Sequence, residues 1–297
     1  MKLEGVLAPV VTPFGATGEL DVAGFASNIR THIANGVCGI VVTGSTGEAA
    51  LLDEDERLRV IDAARKEVDG DRTLLVGIGA ESTRSTIARA HAASERGADG
   101  VLVVAPHYYG DQMSPDALLD HYRRVADASP LPVLIYTIPK YMHFAVSPEV
   151  VAQLATHENI VGMKDSAGDA DLFKRYLASK SSTFRVLTGS GVLWHDALMM
   201  GADGGILAVS LFAPALTFDV LHAHQRGEHD EATRMQETLK PLASTIVGKM
   251  GVPGVKAALD AVGLAGGSPR SPLRPLAPPA RALLEELMRS AELSPAA

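Results

Sequence analysis

The chain has 297 residues, of which 46% are hydrophobic and 21% charged, and it carries a formal net charge of -8. This balance supports a sizeable buried core and excludes a disordered or collagen-like polymer. No stretch concentrates Lys and Arg, which argues against nucleic acid or an anionic membrane surface as the main partner.

From the N-terminus, Glu4 and Pro9 interrupt the region where a signal peptide needs a longer apolar stretch. No apolar run approaches the ~20 residues of a membrane span, so a cytoplasmic protein is expected. Cys38 is the only cysteine, so no intrachain disulfide can form, and its apolar surroundings give it a core position.

Short, β-branched apolar runs recur at 6–13, 39–43, 73–79, 100–105, 132–137, 160–164, 185–188 and 204–209. Such runs suit strands buried on both faces. Helical spacing fills the intervals at 21–34, 53–68, 82–96, 115–128, 147–155, 170–179 and 192–200. Asp53 before Glu56 and Ser114 before Pro115 are cap signals. Strict strand–helix alternation predicts a parallel sheet with right-handed crossovers.

Eight such units favour closure into a TIM (β/α)8 barrel over an open doubly wound sheet. The open sheet would also need a Gly-x-Gly-x-x-Gly turn after its first strand, which is missing. Beyond residue 209 only helical patterns follow, at 214–226, 230–249, 254–262 and 279–290. The expected organisation is a barrel domain over 1–226 and a C-terminal helical extension over 227–297.

In such a barrel the reactive groups project from the C-terminal strand ends. Of the nine lysines, eight lie in contexts that suit a solvated ammonium. Lys164 instead ends an apolar strand, where lost hydration should lower its pKa and make it a nucleophile toward a ketone. An ion pair with Asp165 is the competing role for it.

Ser45 and Thr46 occupy a Gly-flanked corner that suits either a carboxylate or a local turn. Tyr136 closes the fifth strand, as a proton relay or as a core tyrosine. His222, His224 and His229 lie close in sequence on or beside an exposed helix and are expected to be solvated.

These residues fall in recognisable motifs: Pro9-Val10-Val11-Thr12-Pro13-Phe14, Gly44-Ser45-Thr46-Gly47-Glu48, Tyr136-x-Ile138-Pro139, Gly162-Met163-Lys164-Asp165-Ser166 and Gly204-Gly205-Ile206. In order and spacing, over nearly the full length, the chain resembles the dihydrodipicolinate synthase and N-acetylneuraminate lyase family of pyruvate-dependent aldolases. The resemblance implies a homotetrameric barrel enzyme that needs no metal or organic cofactor. Its partners would be a 2-oxo acid such as pyruvate and an aldehyde.

The same resemblance implies a Schiff base on Lys164, proton transfer by Tyr136, and a carboxylate seat at Thr46 and Ser45. Gly189 and Ile206 would line the pyruvate end. Tyr108 would reach into a neighbouring subunit's site to complete a relay with Ser45 and Tyr136. Asp165 and Glu48 would be structural.

Departures from the family pattern bear on substrate. Members that make dihydrodipicolinate carry an arginine where this chain has Tyr141, and Lys140 beside it lacks the bidentate fork. Sialic acid lyases place acidic residues where this chain has Gly189-Ser190-Gly191. A 2-keto-3-deoxy sugar acid or 4-hydroxy-2-oxoglutarate is therefore the expected substrate, with Lys140 and Tyr141 at its distal end. Dehydration of a keto-deoxy acid, dihydrodipicolinate-type synthesis and a non-catalytic keto-acid sensor are the alternatives.

Overall fold

In the computed structural model, which describes residues 1–293, eight parallel strands close into a barrel in sequential order. They are β1 (Gly5–Pro9), β2 (Gly39–Val42), β3 (Thr73–Gly77), β4 (Gly100–Val104), β5 (Val133–Thr137), β6 (Ile160–Asp165), β7 (Arg185–Thr188) and β8 (Gly204–Ile206). β8 returns to pair with β1 through Val6 and Gly205. All eight expected strands are present. The first is shorter than the apolar run 6–13, its pairing with β2 ending at Pro9, and the last stops at Ile206 before a 3₁₀ turn at Ala208–Leu211.

The helices around the barrel are α1 (Val22–Ala34), α2 (Glu54–Glu67), α3 (Thr83–Glu95), α4 (Pro115–Ala128), a single turn α5 (Pro139–Met142), α6 (Pro148–Leu154), α7 (Ala170–Leu177), α8 (Trp194–Met200) and α9 (Pro214–Gln225). Asp53 caps α2 in a reciprocal capping box with Glu56, which satisfies backbone donors that a helix start leaves free. Ser114 caps α4 ahead of a proline in its first turn. Trp194, fully buried, donates its indole N–H to the Thr217 carbonyl at 3.0 Å and so locks α8 to α9.

The C-terminal part comprises α10 (His229–Pro241), a π-helical stretch (Leu242–Lys249), α11 (Gly251–Ala261) and α12 (Pro278–Ser290). Residues 294–297 of the expected extension lie outside the described residues. The sequence pattern predicts one continuous helix over 230–249. The structure divides it at Pro241, which has no N–H to continue the α-ladder, and the wider π turns take over. This stretch lies over the barrel mouth, where Ala243, Ser244, Val247 and Gly248 face the central cavity.

Two ionic anchors fasten this part to the loops after β1 and β2. Lys256 pairs with Glu48, both side chains being buried. Arg270 binds the Glu56 carboxylate, donates its backbone N–H to Glu48 at 2.8 Å, and stacks its guanidinium 4.0 Å from the Phe14 ring centre. Lys256 is therefore not the solvated lysine its helical context predicts. Among the described residues, no helix is long and apolar enough to cross a membrane.

Candidate active site

The register of β5 on β6 sets Tyr136 directly beside Lys164, and side chains of register partners lie on the same face of a sheet. Both point into the barrel mouth, with the Lys164 amine 4.3 Å from the centre of the Tyr136 ring. Asp165, the next residue, points the opposite way, and its carboxylate accepts the Ala167 amide at 3.0 Å. The competing ion pair between these neighbours is thus ruled out by strand alternation.

Lys164 is 6% exposed. Burial alone pushes its amine down to about 7, because an ammonium that loses water without gaining an anion is disfavoured. A large share of this lysine is then neutral and nucleophilic at neutral pH. The Tyr136 hydroxyl is raised by burial, partly offset by the hydroxyls of Ser166 and Ser45 beside it. It therefore stays an O–H donor at neutral pH, flanked by two groups that can pass protons.

The space for the lysine depends on Gly189. A Cβ there would lie 2.7 Å from Cε of Lys164 and 1.9 Å from Oγ of Ser166. On the other side of the mouth, Thr43 adopts a φ of 49° at the end of β2, a sterically costly conformation for a β-branched residue. Its hydroxyl donates to the Gly77 carbonyl at 2.8 Å, and Gly77 has no Cβ to obstruct the close approach. The bend turns the chain into the corner, where the amides of Gly47 and Ala49 bond the Gly44 carbonyl at 3.0 and 3.2 Å.

A cavity of about 370 Å³ joins these pieces. Of the residues singled out from sequence, Lys164, Tyr136, Ser45, Thr46, Gly189, Ile206, Lys140 and Tyr141 all line it. Tyr108 does not. It is 78% exposed, packs edge-to-face on Tyr109, and has its backbone N–H fixed by Glu81 at 2.9 Å. Within a single chain it stays away from the mouth.

Lys140 donates to the Gly248 carbonyl at 2.6 Å and sits 5.4 Å from the centre of the Tyr141 ring. The distal end of the cavity thus combines one ammonium with the hydroxyls of Tyr141, Ser190 and Ser244, and among the described residues no Asp or Glu lines it.

Sequence reasoning assigns no role to Ser166, although it follows Lys164 by two residues in the same motif. It also misses the wall made by the π-helical stretch and by Val252 and Val255 of α11. The histidines group differently from expectation as well: His222 stacks on Phe218, while His195 joins His224 and His229. His224 is partly buried rather than solvated.

A closed parallel barrel with a desolvated amine and a tyrosine at its mouth has the architecture of an enzyme site, since catalytic groups in such barrels occupy this face. The sequence pattern of the Dihydrodipicolinate synthetase family matches residues 2–291, and the chain belongs to that family. Its members are lyases of the aldolase type that work through a lysine Schiff base.

Relatives include a DapA-like lyase of Halobacterium salinarum, 39% identical over 96% of this chain and 93% of its own length. The 4-hydroxy-tetrahydrodipicolinate synthase of Pseudomonas syringae pv. syringae is 32% identical, over 97% and 98% respectively. Among solved structures, dihydrodipicolinate synthase from Thermotoga maritima superposes with a TM-score of 0.93 at 30% identity, over 99% of this chain and 100% of the other. YagE from E. coli K12, determined in complex with pyruvate, gives 0.91 at 30% identity over 98% and 99%.

Proposed function

We propose that this enzyme is a class I aldolase that binds the 2-oxo acid end of a 2-keto-3-deoxy sugar acid as a Schiff base on Lys164 and releases pyruvate and an aldehyde. The observation that carries this reading is the buried amine of Lys164, which faces Tyr136 and has no anionic partner among the described residues. The amine adds to the ketone carbon, water leaves, and a protonated imine results. As the hydroxyl proton of the adjacent carbinol is removed, the carbon–carbon bond breaks, its electron pair enters the imine as an enamine, and the aldehyde departs. Protonation of the enamine and hydrolysis of the imine return pyruvate and the free lysine.

Tyr136 moves the protons: it takes the carbinol proton while passing its own to Ser45 or Ser166, and the reverse relay returns a proton to the enamine carbon. Ser45 and Thr46 hold the carboxylate, and Gly189 and Ile206 shape the methyl end. Lys140 and Tyr141 meet the distal end, where hydroxyl donors and acceptors suit a polyol chain. By analogy with the family, Tyr108 completes the relay from a neighbouring subunit in a homotetramer. Replacing it by Phe without loss of rate would remove that role.

Two observations favour other substrates. The Lys140 ammonium suits a distal carboxylate such as that of 4-hydroxy-2-oxoglutarate. The synthase relatives point to 4-hydroxy-tetrahydrodipicolinate synthesis, against which stands Tyr141 in place of an arginine.

Intact mass after borohydride reduction tests the imine directly. A pyruvate-dependent adduct in the wild type that is lost in Lys164→Ala is the expected result. A folded wild type that gives no adduct with pyruvate or with any keto-deoxy acid would sink the proposal. Product analysis with the same acids then separates carbon–carbon cleavage from loss of water.

A further inference from the structure

Outside the lining of the catalytic cavity, three histidines from three helices converge. His195 lies in the first turn of α8, His224 in the last turn of α9, and His229 opens α10. One ring nitrogen from each lies within 4.8 Å of the others. The ring centres are 5.5 to 6.3 Å apart.

Two of these rings carry an unmet demand. Nε2 of His195 and Nδ1 of His224 are buried and have no hydrogen-bond partner among the described residues, and His195 as a whole is 5% exposed. Buried ring nitrogens without a partner are costly and uncommon in folded proteins.

The protonation of His195 can be assigned from its neighbour. Thr233 donates its hydroxyl proton to the His229 carbonyl at 2.9 Å. Its oxygen, 3.4 Å from Nδ1 of His195, is therefore left to accept from Nδ1–H. In the neutral ring, Nε2 then carries the lone pair. A histidine whose far nitrogen is fixed by a hydrogen bond while the near one offers a lone pair is the usual arrangement of a metal ligand.

We propose that His195, His224 and His229 form a divalent transition-metal site, of the type that takes zinc, which pins the C-terminal helices to the barrel.

Three imidazoles with neither thiolate nor carboxylate among them suit a borderline cation such as Zn²⁺, whereas Mg²⁺ and Ca²⁺ need oxygen ligands. Tetrahedral Zn–N bonds of about 2.0–2.1 Å require nitrogens about 3.4 Å apart. Closing the site thus takes a rearrangement of roughly an ångström, within reach of the exposed His229. Glu228, Asp230, Glu231 and Arg234 line the cleft beside it, and the pairing of Glu228 with Arg226 and of Glu231 with Arg234 cancels most of the carboxylate charge. The fourth position is left to water.

The site also has a route to the barrel mouth. Gln236, on the same helix as His229, accepts the His195 amide at 3.1 Å. Its own amide group donates to the carbonyls of Gly191 and Val192 at 3.0 and 3.1 Å, two residues that line the catalytic cavity. Metal at the three histidines would hold α8, α9 and α10 together beneath that wall.

The test uses untagged, chelator-treated protein titrated with Zn²⁺ by calorimetry, with thermal unfolding followed in parallel. One Zn²⁺ per chain is expected, with a melting temperature raised by roughly 5 °C at a hundredfold excess over Kd. His229→Ala, a change at an exposed position, should weaken binding at least tenfold and abolish the shift. His222→Ala, outside the cluster, should leave both unchanged, and Mg²⁺ should have no effect. Absence of stoichiometric Zn²⁺ binding to the folded wild type would overturn the proposal, as would equal affinity in His229→Ala.

Discussion

Lys164 and Lys256 are almost equally hidden, 6% and 1% exposed, yet they are built for different ends. Lys256 meets the buried carboxylate of Glu48 and joins a network that fastens α11 and the loop carrying Arg270 to the barrel. Among the described residues Lys164 meets no anion, only an aromatic face and a cavity. Burial lowers both amines, but for Lys256 the hydrogen bond and charge of Glu48 oppose the shift. The partner, more than the depth, separates a structural lysine from a reactive one.

The largest expected effect is on turnover. Lys164→Ala should reduce it by on the order of 10⁵-fold or more, as loss of a covalent nucleophile does, while the melting temperature stays at or above the wild-type value. A marked loss of stability would mean that Lys164 has a structural role like that of Lys256.

Tyr136→Phe removes a hydroxyl and little volume, so steady-state kinetics should show kcat down by roughly 10²–10⁴-fold with the fold intact. An unchanged kcat would move the proton transfer to Ser166 or Ser45.

Lys256→Ala leaves the Glu48 carboxylate buried without its partner and should cost about 3–5 kcal/mol in denaturant unfolding. Lys256→Met combined with Glu48→Leu should recover most of that loss. If the double variant is no better than the single one, the pair is not the anchor described above.

The smallest effect is a pH dependence. With the Lys164 amine at about 7, the rate of adduct formation with pyruvate should rise about tenfold per pH unit below 7 and level off above it. The sign for stability is the same. An unfolded lysine titrates near ~10.4, so between about pH 7 and 10 the unfolded chain holds the extra proton, and the penalty on the folded state is relieved as pH rises. An adduct rate that climbs steadily to pH 10 would show that the amine is not desolvated.

Much of the fold and of the site is legible in the amino-acid sequence. The barrel strands are apolar on both faces, so they read as continuous β-branched runs, and strand ends in such a fold mark where to look for chemistry. Lys164, Tyr136 and the Ser45–Thr46 corner emerge that way. What the sequence hides depends on how helices pack. Lys256 sits in a helix whose pattern gives no hint that Glu48, far earlier in the chain, faces it. His195 is separated from His224 by a full helix–strand–helix passage, so only the fold brings them together. The π-helical stretch gives no separate signal, because its apolar spacing resembles that of the α-helix it continues.

That stretch has a further consequence for how the enzyme can change. A π turn holds one residue more than an α turn, so Leu242–Lys249 carries slack that the barrel strands lack. Deleting a single residue there would let α-register resume and turn the rest of the stretch by about 100°, while Lys256 and Arg270 hold the chain beyond it to Glu48 and Glu56. Ser244, Val247 and Gly248 would turn away from the distal end of the cavity, and other side chains would take their place. A one-codon change there would thus remodel the distal wall of the cavity while leaving Lys164 and Tyr136 untouched.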